Sequence, residues 1–173
     1  TNFCEVNLRF YVRYKNNGQW QRGVVFIKEF VPKRVVAFIA NTFYNENYAA
    51  VTMKHHWQED QDSLTVNYSW KKGQWHSFGI VTENKPIPIK KGSEEEFIAE
   101  HYWGYTKHNK TESLEYKVEH PVWKIHPVRS HSVDVDFTKA YGEQWKFLNS
   151  IKPQSVLLAE GSEISVGSKR KLR

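Results

Sequence analysis

The feature that most constrains the fold of this chain is a strict alternation of apolar and polar residues near its start. From Glu5 to Arg13, every second side chain is apolar, and these are Val6, Leu8, Phe10 and Val12. Successive side chains of a β-strand point to opposite faces, so a period of two predicts a strand. The chain therefore opens with a strand that has one apolar face and one polar face.

A hairpin and a helix are predicted after this strand. The sequence Asn-Asn-Gly at 16–18 is typical of a tight turn, and Gly23 to Ile27 is a run of β-branched and aromatic residues. Pro32 suits a first helical turn, and apolar residues then recur at helical spacing as far as Phe43. We expect a helix from Pro32 to about Phe43 that packs on the sheet.

Strand patterns return between Tyr48 and Ile80, with polar breaks at 59–62 and 71–73. A loop is expected from Lys85 to Gly92. Ser93 followed by Glu96 forms a capping box, which predicts a short helix from Glu94 to about Trp103. Further strands are predicted at 113–119, 122–128 and 132–137, with a last helical turn or two at 141–148.

This mixture of many short strands and two or three short helices predicts an α+β fold that is mostly β. A curved antiparallel sheet or a partly closed barrel is favoured, because open sheet edges invite association with other chains. At 173 residues the chain has the size of one domain. We therefore expect a single domain over 1–166 and a basic, flexible tail over 167–173.

Composition and charge exclude several classes of protein. The single cysteine, Cys4, rules out an internal disulfide framework and favours a cytoplasmic protein. No apolar run approaches the roughly 18 residues that a membrane span needs, so no membrane partner is expected. Four positive charges of the net +6 lie in the tail, at 169, 170, 171 and 173. The nearly balanced body makes nucleic-acid binding a weak alternative that rests on the tail alone.

Several strings of the sequence resemble the uncharacterised YqjF-like family. They are FCEVNLRFYV at 3–12, RGVVFIKEFVPK at 22–33, YNENY at 44–48, MKHHW at 53–57, FIAEHYWGYT at 97–106 and EYKVEHPVW at 115–123. Together they cover most of the first 125 residues, whereas the residues after about Phe137 add little.

The resemblance implies an acetoacetate decarboxylase-like fold, in which a curved β-barrel-like sheet encloses a small pocket. The decarboxylase relatives form a Schiff base through a buried lysine, and this resemblance aligns that lysine with Asn47. An amide cannot form the iminium, so the standard decarboxylation is not expected. His101 stands where many relatives have arginine. The family also has a further N-terminal segment, which we expect this chain to lack; homo-oligomerisation is one way to cover the sheet edge left open.

With this resemblance, the polar face of the first strand becomes the expected lining of a pocket. The candidate ligand-binding residues are Glu5, Asn7, Arg9, Glu46, Tyr48, His55 and Tyr102. Arg9 could hold a carboxylate or a phosphate in bidentate fashion. The residues alone leave open the alternative that this face is simply the solvated side of an open sheet.

Four residues are candidates for catalysis, and they are Lys28, Glu5, Glu100 and His101. Lys28 is an alternative amine nucleophile, because desolvation lowers the pKa of a lysine; an exposed charge at a strand end is its plainer interpretation. The eight histidines include no HExxH pair, and we expect no metal and no cofactor.

The sequence therefore favours a protein that binds a small, anionic molecule in an internal pocket. One alternative is a lyase, decarboxylase or hydrolase that acts on a small keto acid without the usual lysine. The other alternative is a nucleic-acid-binding module that uses the basic tail.

Overall fold

The computed structural model describes residues 3–172, which divide into two compact units. The hairpin unit consists of Glu5–Ala50, Lys91–Val122 and the segment from Gly161 onward. The meander unit consists of Val51–Lys90 and Trp123–Glu160, together with the residues up to Cys4.

The chain contains three short α-helices and fourteen strands among the described residues. The helices are α1 (Arg34–Ile39), α2 (Glu94–Ala99) and α3 (Phe137–Tyr141). The strands of the hairpin unit are β1 (Val6–Asn16), β2 (Gln19–Val31), β3 (Tyr48–Ala50), β8 (Trp103–Lys107), β9 (Ser113–Glu119), β13 (Ser165–Val166) and β14 (Arg170–Lys171). The strands of the meander unit are β4 (Thr52–Glu59), β5 (Ser63–Lys72), β6 (Gln74–Glu83), β7 (Ile87–Pro88), β10 (Lys124–His126), β11 (Val128–Asp134) and β12 (Leu158–Ala159).

The hairpin unit is built on one mixed sheet of seven strands. Its order is β1-β2-β8-β9-β13, with β3 pairing along β2 and β14 pairing along β9. The turn between β1 and β2 has positive φ at Asn17 and Gly18, as a tight hairpin turn requires. The helix α1 and a wider π-helical turn, Ala40–Tyr44, connect β2 to β3.

A β-bulge interrupts the pairing of β1 and β2. Leu8 pairs with Lys28 and Arg9 pairs with Phe26, so Ile27 is an extra residue without a partner across the ladder. A bulge of this kind changes which later residues of the strand share a face with the residues before it. It therefore determines which face Lys28 and Glu29 occupy.

The hairpin unit buries aliphatic and aromatic side chains together with the polar residues Glu29, His101, Thr106 and Glu115. Its buried apolar side chains are Val6, Val24, Phe30, Val31, Ala37, Tyr105, Leu114 and Tyr116.

The meander unit contains a four-stranded antiparallel sheet in the order β11-β6-β5-β4, and a small three-stranded sheet in the order β12-β10-β7. Trp70 is fully buried, with its ring 5.1 Å from that of Phe78 and 5.5 Å from that of His76. The buried His76 accepts a hydrogen bond from the backbone N–H of Asp136, at 3.2 Å. This contact joins α3, which Asp136 caps, to the sheet.

The α+β, mostly β class is confirmed, but the closed sheet is not. Over residues 3–172, each of the three sheets runs from one open end to the other. None of the helices in this part of the chain combines the length and the apolar character that crossing a membrane requires.

Three element predictions need correction. The helix expected to reach Trp103 ends at Ala99, because Trp103–Lys107 is a strand that the sequence analysis missed. The strand expected at 132–137 runs instead over Val128–Asp134, and Phe137 begins a helix. The helix expected from Pro32 begins at Arg34 and widens into the π-helical turn.

The segment predicted as a flexible tail pairs with β9 over its described residues. Arg170 lies opposite Glu115 and Lys171 opposite Leu114, and the N–H of Leu172 donates to the carbonyl of Ser113 at 3.0 Å. Arg173 lies outside the described residues.

Candidate functional site

A row of polar side chains crosses three strands of the hairpin unit on one face of its sheet. Asn7 on β1 pairs with Glu29 on β2, and Glu29 pairs with Tyr48 on β3. Residues directly opposite each other on neighbouring strands project to the same side. The register therefore brings these three side chains together on one face.

Glu5 joins this row through hydrogen bonds. The hydroxyl of Tyr48 donates to Glu5 Oε2 at 3.1 Å, and Asn7 Nδ2 donates to Glu5 Oε1 at 3.2 Å. Both oxygens of the Glu5 carboxyl group are thus acceptors, and the group ties β1 to β3 across β2.

Glu29 is the most deeply buried acid of the row, with 2% of its surface exposed. Burial, together with the nearby charges of Glu5 and Glu46, raises the pKa of its carboxyl group to about 9. A hydrogen bond with Tyr48 acts in the opposite direction on this pKa. Its Oε2 is buried and has no hydrogen-bond partner within the described protein. Glu29 therefore carries a proton at neutral pH.

Glu46 follows the π-helical turn, and the pKa of its carboxyl group is also raised, though by less than that of Glu29. Burial raises the pKa of its carboxyl group to about 7, while a hydrogen bond with Tyr116 and the charge of Lys169 hold the value down. Its Oε1 is buried without a partner in the described residues. Glu46 is thus close to half ionised at neutral pH and can give or take a proton.

Tyr48 and Tyr116 stay protonated and act as hydrogen-bond donors. Burial, together with neighbouring glutamates, raises the pKa of both phenol groups well above the usual range. Tyr116 can occupy its place only because Gly104 lies beneath it on the neighbouring strand. A Cβ atom at Gly104 would overlap the phenol ring of Tyr116, so the glycine is required by close approach and not by a turn.

Of these groups, Glu46, Tyr48 and Tyr116 line a pocket of about 330 Å³ in the hairpin unit. The rest of the lining is largely apolar and comes from α1, the π-helical turn and β13. The lining residues are Val36, Ile39, Ala40, Tyr44, Glu46, Tyr48, Tyr116 and Val166. The pocket thus combines a hydrocarbon wall with a wall of carboxyl and phenol groups, which is a common composition of small-molecule sites.

The family comparison matches nearly the whole chain. Residues 1–163 match the model of DUF2071, whose description is "uncharacterized conserved protein". The chain belongs to the DUF2071 family. Comparison with curated proteins gave no match.

The structure of this DUF2071 protein brings four of the expected ligand-binding residues together. Glu46 and Tyr48 line the pocket, and Glu5 and Asn7 are hydrogen-bonded to one another and, through Glu5, to Tyr48. Arg9 is exposed, and its guanidinium group lies 5.6 Å from the ring of Tyr11. It is not among the residues that line the pocket.

Glu100, His101 and Tyr102 form a separate group in the hairpin unit. The His101 ring is 9% exposed and lies 4.5 Å from the ring of Tyr11 and 5.0 Å from that of Phe97. Burial lowers the pKa of His101, and the charges of Arg22 and Arg9 lower it further. The hydroxyl of Tyr102 donates to Glu100, whose carboxylate raises the pKa of that phenol to about 12.

Lys28 and Asn47 contact each other. Lys28 Nζ donates to Asn47 Oδ1 at 2.9 Å, and Asn47 Nδ2 donates to the carbonyl of Ile27 at 2.8 Å. Lys28 pairs with Leu8, so its side chain leaves the sheet on the face opposite to Glu29. The Asn47 side chain therefore contacts the bulge in β2 through both Ile27 and Lys28.

His55 belongs to the meander unit. Its Nδ1 lies 3.1 Å from Sγ of Cys4, and its ring stacks on Tyr68 at 6.1 Å.

Sequence reasoning missed Glu29, Tyr44, Tyr116 and Lys169. For Glu29 a signal existed, because Lys28 and Glu29 are neighbours on one strand. One of the two must project to the face of the sheet that Asn7 occupies. The choice between Lys28 and Glu29 depends on the bulge, which alternation alone does not reveal. Lys169 was assigned to the tail, so its approach to Glu46 was not considered.

Proposed function

We propose that this DUF2071 protein binds a small molecule in the pocket of the hairpin unit. The observation that carries the proposal is that an apolar lining is combined with Glu46, whose buried Oε1 has no hydrogen-bond partner among the described residues. Buried polar atoms without partners are uncommon in native proteins and cost free energy. A ligand that donates hydrogen bonds would supply the missing partners.

The charge of the lining bears on the kind of ligand. The expectation of an anionic ligand rested on Arg9, which is exposed beside Tyr11. The polar residues that line the pocket are one acid, Glu46, and three tyrosines, Tyr44, Tyr48 and Tyr116. This lining favours a neutral or positively charged ligand over an anion.

The relation to YqjF-like proteins and to the acetoacetate decarboxylase-like superfamily is part of this proposal, as is a cytoplasmic location. A pocket beside a bulged sheet is compatible with that relation. Asn47 supports a function other than Schiff-base decarboxylation, because its amide contacts Lys28 and Ile27 and contains no amine.

The proposal is tested by closing the pocket with a larger side chain. Ala40 lines the pocket, whereas Thr42 lies in the same helical turn and is exposed. A thermal-shift screen of small amines, alcohols and carboxylic acids should find compounds that stabilise the wild-type protein and Ala40→Phe should abolish the effect. Thr42→Phe serves as the matched control and should bind as the wild type does. Equal stabilisation of Ala40→Phe, or no binding compound of any class, would contradict the proposal.

A second candidate is an acid–base enzyme acting on a small keto acid. The observation that favours it is Glu46, whose pKa of about 7 suits proton transfer at neutral pH. A version of this hypothesis uses Lys28 as the amine nucleophile. Borohydride reduction in the presence of acetoacetate or pyruvate, followed by mass spectrometry, should then show an adduct on Lys28. An unmodified Lys28 peptide would eliminate the Schiff-base version.

The alternative of nucleic-acid binding through the tail receives no support from its contacts. Arg170 Nε lies 2.7 Å from the buried carboxyl group of Glu115, and Lys171 Nζ lies 2.8 Å from Glu112. Cations engaged with acids on their own chain are less available to phosphates.

A further inference from the structure

The ammonium group of Lys169 lies at the edge of the pocket. Its Nζ is 5.9 Å from the ring centroid of Tyr44, and its charge is close enough to Glu46 to lower the pKa of that carboxyl group. Tyr44 and Glu46 both line the pocket. An amine on a flexible four-carbon chain thus lies near the aromatic and the acidic part of the same site.

The backbone on both sides of Lys169 is fixed to β9. Val166 pairs with Val118, and the N–H of Gly167 donates to the carbonyl of Lys117 at 2.8 Å. On the other side, Arg170 pairs with Glu115 through the backbone and through its side chain. Lys169 is therefore held beside the pocket by strand pairing on each flank.

We propose that the ligand of this pocket is a small organic amine bound as its ammonium ion, at the place beside Tyr44 and Glu46 that the Lys169 ammonium group approaches in the free protein. This inference rests on the proposed function of the pocket and specifies the class of ligand. Lys169 then acts as an internal competitor for the acidic wall.

The arrangement of charges supports an ammonium ion. The carboxyl group of Glu5 raises the pKa values of Glu29 and Glu46, and Glu46 also raises that of Glu29. An ammonium group offers three hydrogen-bond donors, and the unpartnered oxygen of Glu46 is an available acceptor. The faces of aromatic rings attract cations, and Tyr44 already does so with Lys169.

The other wall fits the rest of such a ligand. Val36, Ile39, Ala40 and Val166 present hydrocarbon, which gains free energy when it covers an apolar group. A volume of about 330 Å³ is at the lower end for ligand sites. A compact amine such as benzylamine or cyclohexylamine has the required combination of an apolar body and a cationic end.

Binding of an ammonium ion should be linked to pH. Since burial raises the pKa of Glu46 to about 7, part of the population carries a proton there that an arriving cation must displace. The titratable and charged groups near Glu46 are Tyr116, Lys169, Glu5 and Glu29. Lys169 and the Tyr116 hydrogen bond favour the ionised carboxylate, whereas Glu5 opposes it. Affinity for the amine should therefore increase as the pH rises through 7.

Isothermal titration calorimetry with benzylamine, benzyl alcohol and benzoate tests the inference on the intact chain. Benzylamine should bind more tightly at about pH 8 than at about pH 5.5, with proton release. Lys169→Gln should bind it about fivefold more tightly, as expected when a competing cation worth roughly 1 kcal/mol is removed. Lys171→Gln is the matched control, because Lys171 pairs with the exposed side of Glu112, and it should behave as the wild type.

Three other outcomes would overturn the inference, and they separate it from the proposed function. Preferential binding of benzoate, lost in Lys169→Gln, would mean that Lys169 recognises an anion, and the small-molecule site would survive. Binding of benzyl alcohol alone would indicate a neutral ligand. The pocket itself would be refuted if none of the three probes bound and if Ala40→Phe had the same melting temperature as the wild type in every mixture.

Discussion

Buried acids distinguish the hairpin unit at the level of single residues. Glu29 is 2% exposed and lies near two further carboxyl groups, an arrangement in which ionised groups would repel each other strongly. The raised pKa values of Glu29 and Glu46 reduce that repulsion through protonation. A carboxyl group that holds its proton at neutral pH can donate a hydrogen bond as well as accept one.

Gly104 and Tyr116 show a second residue-level dependence. The phenol ring of Tyr116 lies where a side chain of residue 104 would be, so the pocket wall depends on a residue that does not itself touch the pocket. Nothing in the sequence around Gly104 marks this role, because the two residues are joined only by the pairing of β8 with β9. A glycine in a strand often indicates such close approach, but the strand itself was missed.

At the level of elements, the bulge in β2 organises the site. The extra residue Ile27 lets Glu29 pair with Asn7, and Asn47 fixes the bulge by donating to the Ile27 carbonyl. A regular strand of the same sequence, paired from the hairpin turn without interruption, would present Lys28 on that face instead. Whether an acid or an amine lies beside Asn7 and Tyr48 on this face therefore follows from one irregularity.

We expect Asn47→Ala to destabilise the chain by about 1 kcal/mol, because the Ile27 carbonyl and Lys28 each lose a hydrogen-bond partner at a largely exposed site. Urea denaturation measures this loss. Asn47→Asp should also destabilise, since a carboxylate can still accept from Lys28 but cannot donate to Ile27. Full stability of Asn47→Asp would show that the bulge does not depend on the amide.

The elements were predicted better than the site. Local patterns gave the β1–β2 hairpin, the capped helix after Ser93 and the strand at 113–119, because alternation and capping are properties of neighbouring residues. The cap is observed, with Glu96 N–H donating to Ser93 Oγ at 3.3 Å. The grouping of Glu29, Glu46 and Tyr116 depends on pairings between distant strands and on a bulge, and no local pattern encodes these.

For the whole molecule, the buried acids predict a particular dependence of stability on pH. The folded state raises the pKa of Glu29 to about 9 and that of Glu46 to about 7, from an ordinary value near 4.5. For an acid of this kind, the folded state binds the proton more tightly than the unfolded state. Its contribution to stability is complete below about pH 4.5 and is lost as the pH rises through the folded pKa.

Replacing Glu29 with glutamine should remove most of this dependence. Glu29→Gln is expected to gain stability relative to the wild type between about pH 5 and about pH 9, by on the order of a few kcal/mol. Thermal unfolding over this range measures the difference. Glu119→Gln changes an exposed carboxyl group and should leave the wild-type pH profile unchanged. Parallel profiles for Glu29→Gln and the wild type would contradict the buried, protonated state of Glu29.

The pocket draws its wall from parts of the chain that are far apart in sequence. Val166 and Lys169 meet groups from the first fifty residues, and both are held there by pairing with β9. During synthesis the hairpin of β1 and β2 can form early, whereas the site stays unfinished until the final strands leave the ribosome. A chain that stops before β13 would thus contain most of the sheet and yet lack part of the proposed site.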